Sequence, residues 1–149
     1  MRATDTPSTA VDRTAFSIEP YARIISKPWG REIHLVAEGA PYMAKIIEIS
    51  DGHRLSFQLH DQKTETWTLL SGEASVLLED QNGELHEIPL EIGVGYPCAI
   101  GQKHRLIGKK DGRVFEASTP EIGTTVRLED DYRRPDETEE LRSSDRAGS

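Results

Sequence analysis

Four polar side chains near the middle of the chain could bind one metal ion. Gln58 and His60 are two residues apart in a segment where polar and apolar residues alternate. On a β-strand this spacing directs both side chains to one face. Glu65 follows after a turn, and His104 supplies a second imidazole from further along the chain. Two nitrogen and two oxygen ligands suit one divalent ion of zinc, iron, manganese, cobalt or nickel, and the sequence does not select among these metals.

Three further side chains are expected beside this site. Arg54 and Ser56 have the same strand parity as Gln58, so they are predicted to line the same cavity. Trp67 has the parity of Glu65 and would form either a wall of the cavity or part of the core.

Lys45 has two possible positions. The alternation of its segment places it on the same face as Ile47 and Ile49. A buried lysine is unfavourable unless it meets an anion, so an inward Lys45 would lie near the metal site. Burial and a nearby cation would then lower its pKa and make it a candidate general base. The alternative is a lysine that extends its ammonium group to solvent.

The elements that position these residues are predicted to be short β-strands. Between residues 21 and 132 the chain consists of β-branched, alternating segments separated by turn residues, without a helical period. Nine candidate strands cover residues 33–36, 42–49, 54–58, 65–71, 74–79, 85–89, 94–99, 104–108 and 113–118. This pattern predicts an all-β domain, either a sandwich or a double-sheet barrel.

The 149 residues suit a single domain with polar ends. Residues 1–20 are expected to form an N-terminal arm that is flexible or packs in a dimer, with Phe16 and Ile18 as its apolar contacts. Residues 21–132 are expected to form the barrel. Residues 133–149 are almost wholly polar and are predicted to be a disordered acidic tail.

Composition excludes several classes of function. The net charge of -8 argues against a nucleic-acid surface, which needs clustered Lys and Arg. No apolar run is long enough to span a bilayer, and no leader precedes the domain, so a cytoplasmic location is expected. Cys98 is the lone cysteine and is expected to be a small buried side chain.

The residues around the site resemble the two cupin motifs. From Gly52 to Gly72 the chain follows the spacing of the first motif, with Gln58 where that motif has its first histidine. Residues 93–108 follow the second motif, with Ala99 in place of its proline and Gly108 in place of its asparagine. The resemblance implies a single-domain cupin, that is, a double-stranded β-helix or jelly-roll barrel.

Residues 27–133 resemble more closely the cupin domain of type II mannose-6-phosphate isomerases. The resemblance is carried by residues 27–30, 42–47, 55–60, 65–67, 103–106 and 126–132. It brings Arg127 to the site, although a surface ion pair with Glu129 or Asp131 is an alternative for this residue. Residues 61–63 depart from the family pattern, which makes the likeness less specific for the reaction.

The resemblance implies a metal-dependent enzyme for a small sugar or sugar-phosphate-like substrate, polar or anionic. The expected reaction is aldose–ketose isomerisation through a metal-stabilised enediolate, with Lys45 or Glu65 as the base. The basic residues that could bind a phosphate are Arg54, Lys63, Arg105 and Arg127. Two alternatives stay open: an Fe(II)-dependent oxygenase, and a non-catalytic metal- or sugar-binding sensor that binds a partner protein. A homodimer is expected in each case.

Overall fold

The structure is a computed structural model that describes residues 10–147, with side chains described as far as residue 144. Within this range it contains a 3-10 helix at Arg13–Ala15, nine strands and one α-helix. The strands are β1 (Arg23–Lys27), β2 (Gly30–His34), β3 (Met43–Ile49), β4 (Phe57–His60), β5 (Glu65–Glu79), β6 (Leu85–Pro89), β7 (Tyr96–Cys98), β8 (His104–Ser118) and β9 (Thr125–Glu129). The helix is α1 (Glu139–Ala147).

The strands form one antiparallel sheet that curls on itself. Along one path the strand order is β1-β2-β3-β8-β4-β9, and β5 pairs with β6, β7 and β8. The two 15-residue strands β5 and β8 pair with each other from Glu65↔Ser118 to Leu78↔His104. The prediction of an all-β domain is confirmed, and the curled sheet favours the barrel over the sandwich.

Irregularities in β5 and β8 allow the sheet to curl. The sequence pattern divided each of these strands in two at a turn signal, whereas the structure keeps them continuous through register shifts between Leu69 and Ala74. Gly72 lies there with φ 71°, and a Cβ atom at this position would overlap the carbonyl oxygen of Asp111. A glycine allows this close crossing of two backbones and the sharper bend that a bulge produces.

Alternation along the strands fills the interior. In β3 every second residue is buried, beginning with Met43, because side chains of a strand alternate between the two faces of the sheet. The apolar part of the interior is formed by Trp29, Ile47, Ile49, Trp67, Leu69, Ala74, Val76, Leu90, Cys98, Leu106 and Val114. This apolar core occupies only part of the interior, and the rest is lined with charged side chains.

Residues 133–147 of the predicted disordered tail contact the barrel in the structure, which corrects the prediction for this part, and residues 148 and 149 lie outside the described residues. Glu137 exchanges two backbone hydrogen bonds with Thr125 of β9, both of 2.9 Å. Arg142 of α1 is buried and donates to the carbonyl oxygens of Glu121 and Gly123. Ion pairs and backbone hydrogen bonds hold this segment in place, and a polar composition does not reveal such partners.

The N-terminal arm is described from residue 10 onward, so residues 1–9 of the predicted arm lie outside the described residues. Phe16 and Ile18 are exposed, Ile18 by 98%. No helix in residues 10–147 is long and apolar enough to cross a membrane.

Candidate metal centre

Three neighbouring strands carry the four candidate ligands. Gln58 and His60 lie on β4, Glu65 begins β5 and His104 begins β8. Gln58 is the direct cross-strand partner of His104. Because His60 is two residues along the same strand, its side chain faces the same interior point.

The four side chains meet inside the barrel. The distance from Glu65 Oε2 to His60 Nε2 is 3.3 Å, and from Glu65 Oε1 to His104 Nε2 it is 3.5 Å. Gln58 Nε2 lies 3.5 Å from His60 Nε2 and 3.4 Å from His104 Nε2. His60, Glu65 and His104 form a group with ligand atoms within 4.8 Å of one another, which is the arrangement that could hold a metal ion.

Contacts at the outer nitrogens orient both imidazoles. His60 Nδ1 lies 3.0 Å from Thr125 Oγ1, and His104 Nδ1 lies 2.9 Å from the carbonyl oxygen of Gln102. Burial is the main cause that lowers the pKa of His104, which favours the neutral ring. Since a carbonyl only accepts, Nδ1 carries the proton and Nε2 presents a lone pair to the Glu65 carboxylate. Two facing acceptors repel each other unless a cation lies between them, so this donor set fits a metal ion.

Ser56 fixes the amide of Gln58. Its hydroxyl donates to Oε1 of Gln58, which turns Nε2 toward the imidazoles. The amide of Gln58 can also rotate by half a turn, which exchanges the positions of Oε1 and Nε2. Ser56 Oγ keeps a hydrogen bond in this orientation, because a hydroxyl group can accept from Nε2. Oε1 then faces the two Nε2 atoms and completes a set of two nitrogen and two oxygen ligands.

Glu65 is held as a carboxylate. Burial raises the pKa of Glu65, but Lys63 and the two imidazoles lower it by a larger amount, so the net shift is downward. Lys63 Nζ lies 3.1 Å from Glu65 Oε2, and the same ammonium group lies 3.1 Å from Glu116 Oε2. Glu65 Oε2 is buried without a hydrogen bond of normal geometry among the described residues. The unprotonated carboxylate therefore has capacity for a further cation.

Acidic side chains outnumber basic ones beside the candidate ligands. Four carboxylates and two ammonium groups contact one another, each with a side chain no more than 9% exposed; they are Glu32, Glu65, Glu116, Glu121, Lys45 and Lys63. Further basic residues, among them Lys27 and Arg127, line another part of the same cavity, and over the whole lining the charges balance. The carboxylates nearest the imidazoles favour a cation locally, because buried charges are unfavourable unless they are compensated.

Lys45 points inward, but its expected pKa shift has the wrong direction. Burial lowers the pKa of Lys45, yet Glu116, Glu121 and Glu32 together raise it well above the ordinary 10.5. Its ammonium group lies 2.6 Å from Glu121 Oε1 and 3.3 Å from Glu32 Oε1. The sequence pattern predicted that Lys45 could point inward, but it did not reveal the three carboxylates that Lys45 contacts. Lys45 is consequently a fixed positive charge in this structure and not a ready base.

Three of the side chains predicted to bind substrate lie outside the cavity. Arg54 pairs with Asp131 and is 43% exposed at its side chain. Its parity argument fails because Arg54 lies before β4 and is paired only by an isolated bridge to Ile107, so the alternation of β4 does not extend to it. Arg105 is buried and donates to the carbonyl oxygen of Leu55 and to Asp131. Trp67 is fully buried and donates to Glu116. Of the two positions predicted for it, a wall of the cavity or part of the core, the structure shows the core.

The cavity itself is small and strongly charged. It has a volume of about 50 Å³, which is room for one or two water molecules. Ser56, Lys63 and Arg127 line it, as does Lys45. Arg127 is the cross-strand partner of Gln58, and it donates to the carbonyl oxygen of Pro135 and to Glu137. The structure thus places Arg127 beside the candidate ligands, and its role in substrate binding stays a prediction.

Sequence comparison identifies the family. Residues 17–109 match the family described as mannose-6-phosphate isomerase C-terminal. This match covers more than half of the chain. The chain belongs to this family.

Members of this mannose-6-phosphate isomerase C-terminal family occur within longer proteins. The mannose-1-phosphate guanylyltransferase ManC of Salmonella typhimurium is 30% identical over 119 residues, which are 75% of this chain and 23% of that protein. The alginate biosynthesis protein AlgA of Pseudomonas aeruginosa is 35% identical over 63 residues, which are 42% of this chain and 13% of that protein. The chain spans less than a quarter of the length of either relative.

Solved structures show the fold of this family member to be a cupin, as the motifs implied. Oxalate decarboxylase from Lactobacillus farciminis superposes with a TM-score of 0.63 at 16% identity, over 76% of this chain and 37% of that chain. KdgF from Halomonas sp. superposes with a TM-score of 0.53 at 19% identity, over 63% of this chain and 82% of that chain. At these identities the likeness concerns the fold alone.

The sequence analysis missed the buried acids of this cupin. Glu116 is the direct cross-strand partner of Lys45, and His34 is its partner on the other side. Glu32 has the same inward parity as His34. The signal that could have found them is an acidic residue at an inward position beside an inward lysine, but it requires the strand pairing, which the sequence does not supply.

Proposed function

We propose that this chain is a metal-dependent cupin enzyme that acts on a small sugar or sugar-phosphate-like substrate. The observation that supports it most strongly is the convergence of His60, His104 and the Glu65 carboxylate on one buried point, where Nε2 of His104 presents its lone pair to the carboxylate. A divalent cation between these groups is the simplest ligand that would satisfy them.

The ligands would be Gln58, His60, Glu65 and His104. A bound divalent ion would supply Lewis-acid polarisation of carbonyl and hydroxyl oxygens of a substrate. Thr125 and the carbonyl oxygen of Gln102 hold the two imidazoles in place, so the ligand nitrogens need little reorganisation. Ser56 also contacts the amide of Gln58, which needs half a turn to present Oε1 to a metal ion.

Aldose–ketose isomerisation is the reaction that we favour. The relative from Salmonella typhimurium is named as a mannose-1-phosphate guanylyltransferase, and the matched family is named for an isomerase of a mannose phosphate. The reaction requires a base that moves a proton between neighbouring carbons. Of the two candidates, Glu65 is unprotonated, whereas Lys45 is held as an ammonium ion. Lys45 would therefore donate a hydrogen bond or stabilise negative charge, and Glu65 is the candidate base.

Lys63 and Arg127 are the residues that we assign to the anionic part of the substrate. Both line the cavity with Ser56, and both are already paired with carboxylates. Arg54, Arg105 and Trp67 would act only indirectly, through Asp131 and the core.

One observation also favours the oxygenase alternative. Two imidazoles and one carboxylate, here His60, His104 and Glu65, form the donor set that nonhaem Fe(II) oxygenases use. Metal identity separates this alternative from the isomerase, because only the oxygenase requires iron and consumes oxygen.

A matched pair of assays tests the proposal. The purified chain is analysed for bound zinc, iron, manganese, cobalt and nickel, and is then assayed for conversion of mannose 6-phosphate to its 2-ketose isomer. We expect metal-dependent conversion, and its loss in His104→Gln but not in the exposed control His86→Gln. Oxygen uptake with bound iron would favour the oxygenase, and tight metal binding without any turnover would favour the sensor.

We also propose that the chain forms a homodimer. Phe16 and Ile18 belong to an N-terminal arm and are exposed by 64% and 98%. A second copy could cover them. Sedimentation at micromolar concentration is expected to give a dimer, and Phe16→Ser with Ile18→Ser is expected to give a monomer.

A further inference from the structure

The C-terminal segment closes the cavity that holds the candidate ligands. We call residues 133–142 the strap. Arg134 and Glu137 of the strap line the same cavity as Gln58 and His60. Its contact with the site runs through Thr125, which pairs with Glu137 by two backbone hydrogen bonds and contacts His60 Nδ1 with its hydroxyl group.

The carboxylate of Glu137 lies among three cations. Its Oε2 atom is 3.3 Å from Arg127 Nη2 and 4.0 Å from Lys27 Nζ. Its Oε1 atom accepts from Arg142 Nε at 2.8 Å. Burial raises the pKa of Glu137, but Lys27 and Arg142 lower it by a larger amount, so the carboxyl group is an anion.

The three cations have different origins. Lys27 ends β1 and Arg127 lies in β9, so both belong to the barrel. Arg142 belongs to the strap and anchors it through the carbonyl oxygens of Glu121 and Gly123. One carboxylate oxygen of Glu137 therefore faces the barrel cations, and the other faces the strap's own arginine.

The closed cavity cannot admit a sugar. Its volume is about 50 Å³, whereas pockets for small molecules measure roughly 300 Å³ or more. A ligand of sugar size requires part of the lining to move, and we expect this part to be the strap, because it lies outside the nine strands. That movement removes Glu137 from Lys27 and Arg127 and leaves two largely buried cations without this carboxylate, which is unfavourable unless another anion replaces it.

We propose that Lys27 and Arg127 form the binding site for the phosphate or carboxylate group of the ligand, and that Glu137 occupies this site as an internal competitor. The ligand's anionic group displaces Glu137 and opens the strap. This inference rests on the proposed function for the sugar part of the ligand alone. Anion binding by Lys27 and Arg127 does not require the metal.

Removal of the competing charge tests this inference. Glu137→Gln keeps the size of the side chain, and the exposed Glu140→Gln makes the same charge change three residues away. If the closed state holds about 90% of the molecules, its loss tightens ligand binding about tenfold. Calorimetric titration with mannose 6-phosphate is expected to show this gain for Glu137→Gln and no gain for Glu140→Gln. Mannose also needs the open strap but lacks the anion, so it is expected to show a smaller gain than mannose 6-phosphate, without the part that comes from removal of the competing charge.

Two further variants locate the anion and the strap. Arg127→Gln combined with Glu137→Gln is expected to abolish the gain, because the barrel cation is lost. Arg142→Met removes the anchor of the strap and is expected to tighten binding as Glu137→Gln does. Hydrogen exchange of residues 133–142 is expected to become faster in Glu137→Gln, and faster in the parent protein when mannose 6-phosphate is added.

The outcomes separate this inference from the proposed function. A gain that persists in chelator-treated protein supports the anion site even if no sugar phosphate is isomerised. Inorganic phosphate, titrated alone, shows whether the anion suffices or the sugar is needed as well. Equal affinity of Glu137→Gln and Glu140→Gln for mannose 6-phosphate, or a gain that survives Arg127→Gln, would overturn the inference.

Discussion

At the scale of single residues, buried charge determines the properties of this site. Lys45 contacts three carboxylates inside the barrel, and Lys63 contacts Glu65 and Glu116. Such groups are compensated only by one another, because the interior offers little water to solvate them. A change to any member therefore affects both the fold and the candidate metal centre.

Replacement of Lys45 by Met is expected to destabilise the protein strongly. The substitution leaves Glu32, Glu116 and Glu121 without this buried partner, and loss of one member of a buried ion pair costs about 3–5 kcal/mol. The control is Lys109→Met, whose exposed pair with Glu87 contributes at most about 1 kcal/mol. Urea unfolding measures both variants. A Lys45→Met protein as stable as Lys109→Met would show that the cluster is not compensated in this way.

Ser56→Ala is expected to weaken metal binding without loss of a ligand. The hydroxyl group orients the Gln58 amide, and loss of such a supporting contact lowers metal affinity about 10- to 100-fold. Ser26→Ala, at an exposed position of β1, is the matched control. Competition with a chelator gives both affinities, and equal values for the two variants would remove Ser56 from the site.

At the scale of elements, the sequence predicted the strands better than their junctions. Alternation located β3 and the segment of Gln58 and His60, because one buried face imposes a period of two. It divided β5 and β8, since Gly72 and Gly112 are read as turn residues, although here they lie at bulges between continuous strands. It also missed β1, β9 and the strap, which depend on partners that are distant in sequence. The candidate ligands could be predicted from spacing, whereas the partners of Lys45 required the strand register.

The strap is expected to open as the pH falls. The pKa of Glu137 in the folded protein lies below its ordinary 4.5, since Lys27 and Arg142 outweigh burial and the nearby Glu121. Its ion pairs with Lys27, Arg127 and Arg142 therefore stabilise the closed strap fully above about pH 4.5 and are lost as the pH falls through the lower folded value.

Hydrogen exchange of residues 133–142, corrected for the intrinsic rate at each pH, measures this opening. The parent protein is expected to show an acidic step in exchange, and Glu137→Gln is expected to lack it. An identical step in both proteins would assign the opening to other carboxylates.

At the scale of the whole molecule, the barrel combines an apolar core with a charged cavity. Trp67 lies between the two regions: it is fully buried, its ring contacts His104 in a tilted arrangement, and it donates to Glu116. The core holds the strands in register, and the register brings residues from β2, β3, β4, β5, β8 and β9 to one interior point. This division explains how a member of a family known from longer proteins can form its candidate site from a single domain.

The most direct test of this account is whether the folded chain binds one divalent ion at the charged cluster. Chelator-treated protein is titrated calorimetrically with zinc, iron(II), manganese, cobalt and nickel ions, and the melting temperature is recorded with and without each ion. We predict one equivalent bound per chain and a higher melting temperature for at least one metal, with both effects lost in His104→Gln. Failure of all five ions to bind or to raise the melting temperature of the folded protein would contradict the account.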